Sequence, residues 1–421
     1  MVSIIKSLCK PLQGNKIEHS SQEYSITMFF NGLFGFGQNT GTQILERKLN
    51  SILKDKTKNF VKQTRLLPHP SQMNKYTHKF SMEEVNNILI NINKKTLVSL
   101  LKNKLIPKKI KIAFDFKKKL YYGEKDNPFV FGIKAERGTN KAFKWHTCAI
   151  ILKGFELQIG SKMVKRGDKK ELFIQKMVEY FESLGFIVEL VLMDREYYNK
   201  KVFKYFNSKE IEYITPVKGS KKLKILKEKA LKNPKERVQN YKMRDGYVRG
   251  KGYKYHEFKI AFFGKKKLRF GKLRAQYWNN TRKLTDILAD IFVLATNQII
   301  YSPSVKKKYK FYKLREKYRP RWRIETSYRE GIPFMIYSTS KIPEIRNLYF
   351  IIACLLYNLW VIANILLHKN KSKQPKEPKA FLIIYFKDIF LSILQLHLGL
   401  DPPYSEFCRE EELKIMGCMI I

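Results

Sequence analysis

Apolar and polar positions repeat with different periods along the chain, and the changes of period outline its elements. "KKELFIQKMVEYFESLG" places Leu172, Phe173, Met177, Tyr180, Phe181 and Leu184 at helical spacing and ends on Gly185, which predicts a helix with a glycine stop. "FIVELVLMD" is a buried-strand run that closes on Asp194, "REYYNKKVFKYFNSKE" reads as helical, and "IEYITPV" reads as a strand. Upstream, "KKIKIAFDF" is a short β-rich run ending on Asp115, and "HTCAIILKGFELQIG" predicts two strands around a turn at Lys153–Gly154. The order is strand, strand, strand, helix, strand, helix, strand, which implies a mixed α/β sheet with helical crossovers.

The flanks differ from this centre. Residues 1–107 carry helical patterns, and "SMEEVNNILININ" opens with Ser81 followed by acids, a helix start. This region fits a DNA-binding arm or an ordinary helical cap. Residues 218–284 are basic and irregular, and alternation in "YKYHEFKIAFF" predicts an antiparallel β-rich insertion. "DIFVLATN" is one more core strand, after which Pro320 opens a helix. The predicted core therefore spans 108–217 and 285–367, followed by a helical C-terminal region at 368–421 with a second apolar run, "AFLIIYFKDIFLSILQLHL". "NLYFIIACLLYNLWVIANILLHKN" is long enough to span a bilayer. Asn358 and Asn364 within it, and its place after 350 basic-rich residues, favour a buried core helix over a membrane span.

Composition narrows the partner. The 421 residues include 83 Lys and Arg against 37 Asp and Glu, a formal net charge of +46. Such a surplus repels itself in a compact fold and calls for a polyanion, with nucleic acid foremost. A lysine-rich compositional bias is the bland alternative. Cys9, Cys148, Cys354, Cys408 and Cys418 are scattered without a CxxC pair, which disfavours zinc and reads as reduced thiols of an intracellular protein.

The candidate chemistry lies in carboxylates. Asp115 and Asp194 each end an apolar run, and adjacent strands would bring them together; Glu325 follows on a helix after the last strand. Converging carboxylates repel one another and raise their pKa values, and divalent cations relieve that repulsion. Oxygen ligands suit Mg²⁺ or Mn²⁺, and two ions about 4 Å apart are the usual device for phosphodiester displacement. Either Asp alone could equally cap the helix that follows it. Arg321 and Glu325 stand four apart on one helical face, with Trp322 and Ile324 expected to bury that helix; a surface ion pair is the competing reading.

"IAFDFKKKLYYG", "LVLMDREYYNKKVF" and "YRPRWRIETSYRE" resemble the three signature blocks of DDE insertion-sequence transposases, in the group with a YREK signature. Tyr318, Arg321 and Glu325 take the first three places of that signature; the fourth falls on Ile332, so the lysine is missing, and Lys341 or another nearby cation is the candidate substitute. The resemblance, over roughly residues 108–365, implies an RNase H-like mixed-sheet catalytic core with Asp115, Asp194 and Glu325 as ligands of Mg²⁺ or Mn²⁺. It implies a β-rich insertion between the second and third acids, where the basic segment lies. It also implies a transposase that binds terminal inverted repeats, cuts them with metal-activated water and joins 3′-hydroxyl ends to target DNA. Double-stranded DNA, a homodimer on that DNA and a cytoplasmic, nucleoid-associated location follow from the same resemblance. Expected DNA contacts are Tyr318, Arg319, Arg321 and Arg323, with Arg195 beside Asp194 and Trp278 in the insertion. A related nuclease and a domesticated, non-catalytic DNA-binding protein are the alternatives. Tyr121, Tyr122 and Gly123 could touch DNA or pack in the core, and His146 is expected to be a satisfied structural histidine.

Overall fold

The computed structural model describes residues 70–124, 126–248, 252–265, 269–301 and 308–369, with isolated positions at 24, 27–29, 31–32, 43, 383 and 386–387. The rest of the predicted N-terminal and C-terminal helical regions, including most of "AFLIIYFKDIFLSILQLHL", lies outside the described residues.

Two helices lead in, α1 (Pro70–Thr77) and α2 (Met82–Lys102). Ser81 starts α2 through a reciprocal capping box: its hydroxyl accepts from the Glu84 amide at 3.3 Å, and its own amide donates to Glu84 Oε2 at 2.8 Å. The strands are β1 (Lys109–Leu120), β2 (Val130–Glu136), β3 (Thr139–Ile151), β4 (Glu156–Met163), β5 (Ile187–Met193), β6 (Glu212–Pro216), β7 (Val238–Val248), β8 (Gly252–Gly264) and β9 (Ile291–Thr296). They form one mixed sheet in the order β2-β3-β1-β5-β6-β9-β8-β7, with β4 sharing the outer edge of β3. β1 is antiparallel to β3 and parallel to β5, and β5 is parallel to β6. The helical crossovers α3 (Lys170–Ser183) and α4 (Lys200–Ser208) make those parallel pairings possible. Gly154 and Gly185 adopt φ of +84° and +82° at the predicted turn and helix stop, where a side chain would be strained.

Three expectations change. β1 runs five residues past Asp115, which therefore sits within the strand and not at its end. β2 had no strong apolar alternation to announce it; its pattern is mostly exposed, and pairing with β3 holds it in place. The predicted helix after Asp194 is broken into a 3₁₀ turn, Arg195–Tyr197, and α4, because Asn199 adopts an extended backbone and caps α4 through the Lys201 amide. The inserted segment contributes α5 (Lys221–Lys232), α6 (Phe270–Trp278), α7 (Leu284–Ala289) and the β7–β8 hairpin, which extends the central sheet through β9.

The sheet is covered on both faces. Ile112, Phe114, Val191 and Met193 join the larger core with α2, α3 and α10 (Pro343–Lys369). Ala113, Leu190, Leu192 and Ile214 face the other way, under Phe311, Leu314, Tyr318 and Ile324 of α8 (Lys308–Tyr318) and α9 (Trp322–Glu330). α10 is the one described helix long and apolar enough to cross a membrane, and 89% of that stretch is buried inside the fold. Asn358 anchors it, accepting from the Gln158 amide at 2.8 Å and donating to the Gln158 carbonyl at 2.6 Å.

Candidate active site

Strand parity places the acids. Asp115 shares the face of Ala113, and Asp194 continues the face of Leu190 and Leu192, so both point toward α8 and α9. Phe114 pairs with Met193 across the parallel ladder, and the Asp194 amide donates to the Phe114 carbonyl at 3.0 Å, which sets the two acids side by side. Asp194 does not cap the 3₁₀ turn that follows with its side chain. The Asp115 carbonyl accepts from Thr147 Oγ1 at 3.0 Å and from the Tyr197 hydroxyl at 3.2 Å, so the backbone at this position is held from two sides.

Glu325 arrives from α9, and Arg321 stands between it and Asp115. The Arg321 guanidinium donates from Nη1 to Asp115 Oδ1 at 3.2 Å and from Nη2 to Glu325 Oε1 at 2.6 Å. Its side chain is 6% exposed and that of Asp115 7%, whereas Glu325 is 53% exposed. The Arg321 Nε is buried with no hydrogen-bond partner. Burial pushes the Asp115 carboxyl up to about 7; Arg321 opposes the shift, and repulsion from Asp194 and Glu325 adds to it. Arg321 is held in its charged form by Tyr318, Asp115 and Glu325 against the cost of burial.

Asp115 thus adjoins Asp194 across the ladder and is bridged to Glu325 by Arg321. Among the described residues, however, no three His, Cys, Asp or Glu side chains are grouped to hold a metal ion, and the cation between Asp115 and Glu325 is Arg321. The donor chemistry still fits a hard divalent cation. The side-chain donors are all oxygen, which suits such an ion, while the raised Asp115 carboxyl reflects burial first, with the Arg321 cation opposing it.

The predicted DNA contacts divide. Tyr318 is 3% exposed and donates its hydroxyl to the Met193 carbonyl at 3.2 Å, so it packs beneath the site and is not presented to a phosphate. Arg321 is turned inward for the reason given. Arg319 and Arg195 are exposed, and Arg323 reaches the Leu152 carbonyl. Trp278 is 57% exposed at the end of α6, edge-on to Tyr277. Trp322, expected to help bury its helix, is 60% exposed; Ile324 and Ser327 form the buried face instead. Ile332 is exposed, and Lys341, the suggested substitute cation, lies 3.8 Å from Glu124. His146 is buried, bonds Tyr197 through Nδ1 at 2.9 Å and is driven down to about 3 by burial, so it is a neutral structural residue.

Two further residues enter the site unannounced. Tyr328 closes it from α9, with its hydroxyl on Thr147 and the Lys117 ammonium 4.8 Å from its ring centre. Lys117 lies two residues after Asp115 on the same strand face. The period-two alternation of "DFKKK" was the available signal, masked by the expectation that the strand ends at Asp115.

Residues 166–359 match the family model described as the transposase DDE domain, an interval that includes Asp194 and Glu325 and begins after Asp115. No curated protein matches the chain. Among solved structures, the piggyBac transposase synaptic complex with hairpin DNA aligns over 98% of this chain and 82% of that one, at 10% identity and a TM-score of 0.50, which is a likeness of fold. The Drosophila P element transposase strand transfer complex aligns over 100% and 81%, at 10% identity and a TM-score of 0.24, too low to bear on the fold. Residues 166–359 are thus similar to the transposase DDE domain, and the mixed sheet that carries them is similar in fold to the piggyBac transposase.

Proposed function

We propose that the protein is a DNA transposase that binds the terminal inverted repeats of its element, cleaves DNA there and joins the freed 3′-hydroxyl ends to target DNA by transesterification. The observation that carries this reading is that Asp115 adjoins Asp194 and is bridged to Glu325 by Arg321, on a chain whose net charge is +46. Asp115, Asp194 and Glu325 would hold Mg²⁺ or Mn²⁺, two ions by analogy with other phosphodiester chemistry. Bound there, the metal supplies charge neutralisation at the scissile phosphate and an activated water or hydroxyl. The chain itself orients the acids: Thr147 and Tyr197 hold the Asp115 backbone, and Tyr318 ties α8 to the end of β5. Exposed Arg319, Arg195 and Trp278 are the proposed contacts to double-stranded DNA, and action on two ends implies a homodimer on that DNA. The proposed location is the cytoplasm, on the nucleoid.

A non-catalytic DNA-binding protein on the same fold is the second reading. Ile332, where the YREK signature has a lysine, favours it. Asp194→Asn separates the two in a cleavage assay on duplexes built from the DNA flanking the gene. Loss of Mg²⁺-dependent cleavage with DNA binding retained supports the transposase. Cleavage unchanged by the substitution, or no cleavage by the wild type, sinks it.

A further inference from the structure

β1 continues for five residues beyond Asp115, and its alternation carries Lys117 and Lys119 onto the face of that acid, at a repeat of about 7 Å per two residues. Both side chains are half-buried. Lys118, between them, is exposed and taken up by Glu136. Lys117 and Lys119 have no carboxylate within salt-bridge distance among the described residues. The charges nearest Lys119 are instead cations. Burial, Arg346 and Lys117 together pull its ammonium down to about 8. Arg346 stacks over Tyr121 and Phe143, at 5.6 and 5.5 Å from their ring centres, and its Nε donates to the Ser340 carbonyl.

Lys117 and Lys119 line a cavity of about 530 Å³, with the Lys118–Glu136 pair at its edge and Arg346 outside its lining. Lys117, Lys119 and Arg137 form its basic side, and Tyr122, Tyr328 and Ile332 its apolar side. Tyr122 and Ile332 are 67% and 60% exposed, so the wall is open to a ligand. Half-burying like charges beside one another is unfavourable unless an anion joins them. Tyr328 belongs both to this cavity and to the surroundings of Asp115, so an anion seated here adjoins the acids.

We propose that Lys117 and Lys119, with Arg346 beside them, bind backbone phosphates of the DNA strand that leads away from the cleavage site along β1, its sugars lying against Tyr122 and Ile332. The cavity thereby provides the local cation that position 332 lacks. The inference rests on the transposase reading for the identity of the anion.

The test uses the full chain without metal and a duplex oligonucleotide of flanking DNA. Each phosphate-bound lysine lost lowers the slope of log K against log salt by about 1, so Lys117→Gln/Lys119→Gln is expected to lower it by about 2. The control Lys176→Gln/Lys209→Gln, at sites where those lysines meet Asn87 and Glu182, is expected to leave the slope unchanged. Acetylation of the wild-type chain by an N-hydroxysuccinimide ester, read by peptide mass spectrometry, covers the case in which the double variant misfolds. DNA is expected to protect Lys117 and Lys119 but not Lys176 or Lys209. An unchanged slope in a folded double variant, or no protection of Lys117 and Lys119 in DNA-saturated wild type, overturns the proposal. So does protection by inorganic pyrophosphate without protection by DNA. Cleavage with neither slope change nor protection removes this inference alone. Protection without metal-dependent cleavage removes the transposase reading and leaves the phosphate site standing.

Discussion

Replacing Arg321 with methionine removes the cation between two carboxylates and leaves the aliphatic bulk in place. The energetic consequence depends on pH through Asp115. In the wild type the Asp115 carboxyl is raised from 3.8 to about 7, so the folded state binds more protons than the unfolded state between those values. Stability contributed at this group therefore falls as pH rises from about 4 to 7 and is level above. Arg321 lowers that pKa, so its removal raises it further and extends the falling limb upward. Below pH 7 both proteins carry a neutral Asp115 and differ only by lost contacts. Above pH 7 the gap widens by about 1.4 kcal/mol per pH unit, up to the pKa of the variant. Between pH 6 and pH 9 the extra loss reaches about 3 kcal/mol where that pKa is 9 or more, close to the cost of breaking a buried ion pair. Since Asp115 and Arg321 are nearly inaccessible, solvent screening takes little from this figure. At roughly 1 °C per kcal/mol for a chain of 421 residues, the melting temperature of Arg321→Met relative to wild type drops by about 3 °C more at pH 9 than at pH 6. Differential scanning fluorimetry reads it. The double variant Asp115→Asn/Arg321→Met has no carboxylate at position 115, and its gap from the single variant Asp115→Asn is expected to be the same at pH 6 and pH 9. An equal loss for Arg321→Met at both pH values refutes the reasoning.

Ser81→Ala opens the capping box of α2 and is expected to cost about 1 kcal/mol, measured by urea denaturation. Asn358→Leu strips Gln158 of two backbone hydrogen bonds in the core and is expected to cost about 2 kcal/mol or more on the same scale; a neutral result contradicts the anchoring of α10 described above. Trp278→Ala is expected to leave the melting temperature unchanged because the ring is largely exposed. It should weaken DNA binding by about 1–3 kcal/mol if the ring stacks on a base, read by fluorescence anisotropy.

Local order was legible because its causes lie within a few residues. Helical spacing marked α3, and Gly185 marked its stop; Ser81 and Glu84 announced the start of α2; the apolar run around Asn358 read as a core helix and is one. The spacing of Arg321 and Glu325 put them on one helical face, where they do meet. The positive surplus, which needs only counting, pointed to a polyanion before any element was placed. What the linear pattern could not convey is which face each residue meets. That Asp115 adjoins Asp194 depends on the register of β1 against β5, and that β2 is a strand depends on β3. Arg321 is the sharpest case. From sequence it is one arginine in a basic run, but a carboxylate 206 residues away draws it inward, and Trp322 is left outside. Burial strengthens the attraction of opposite charges while penalising either one alone, so the choice between a surface contact and a buried bridge is made only where distant strands bring the carboxylate within reach.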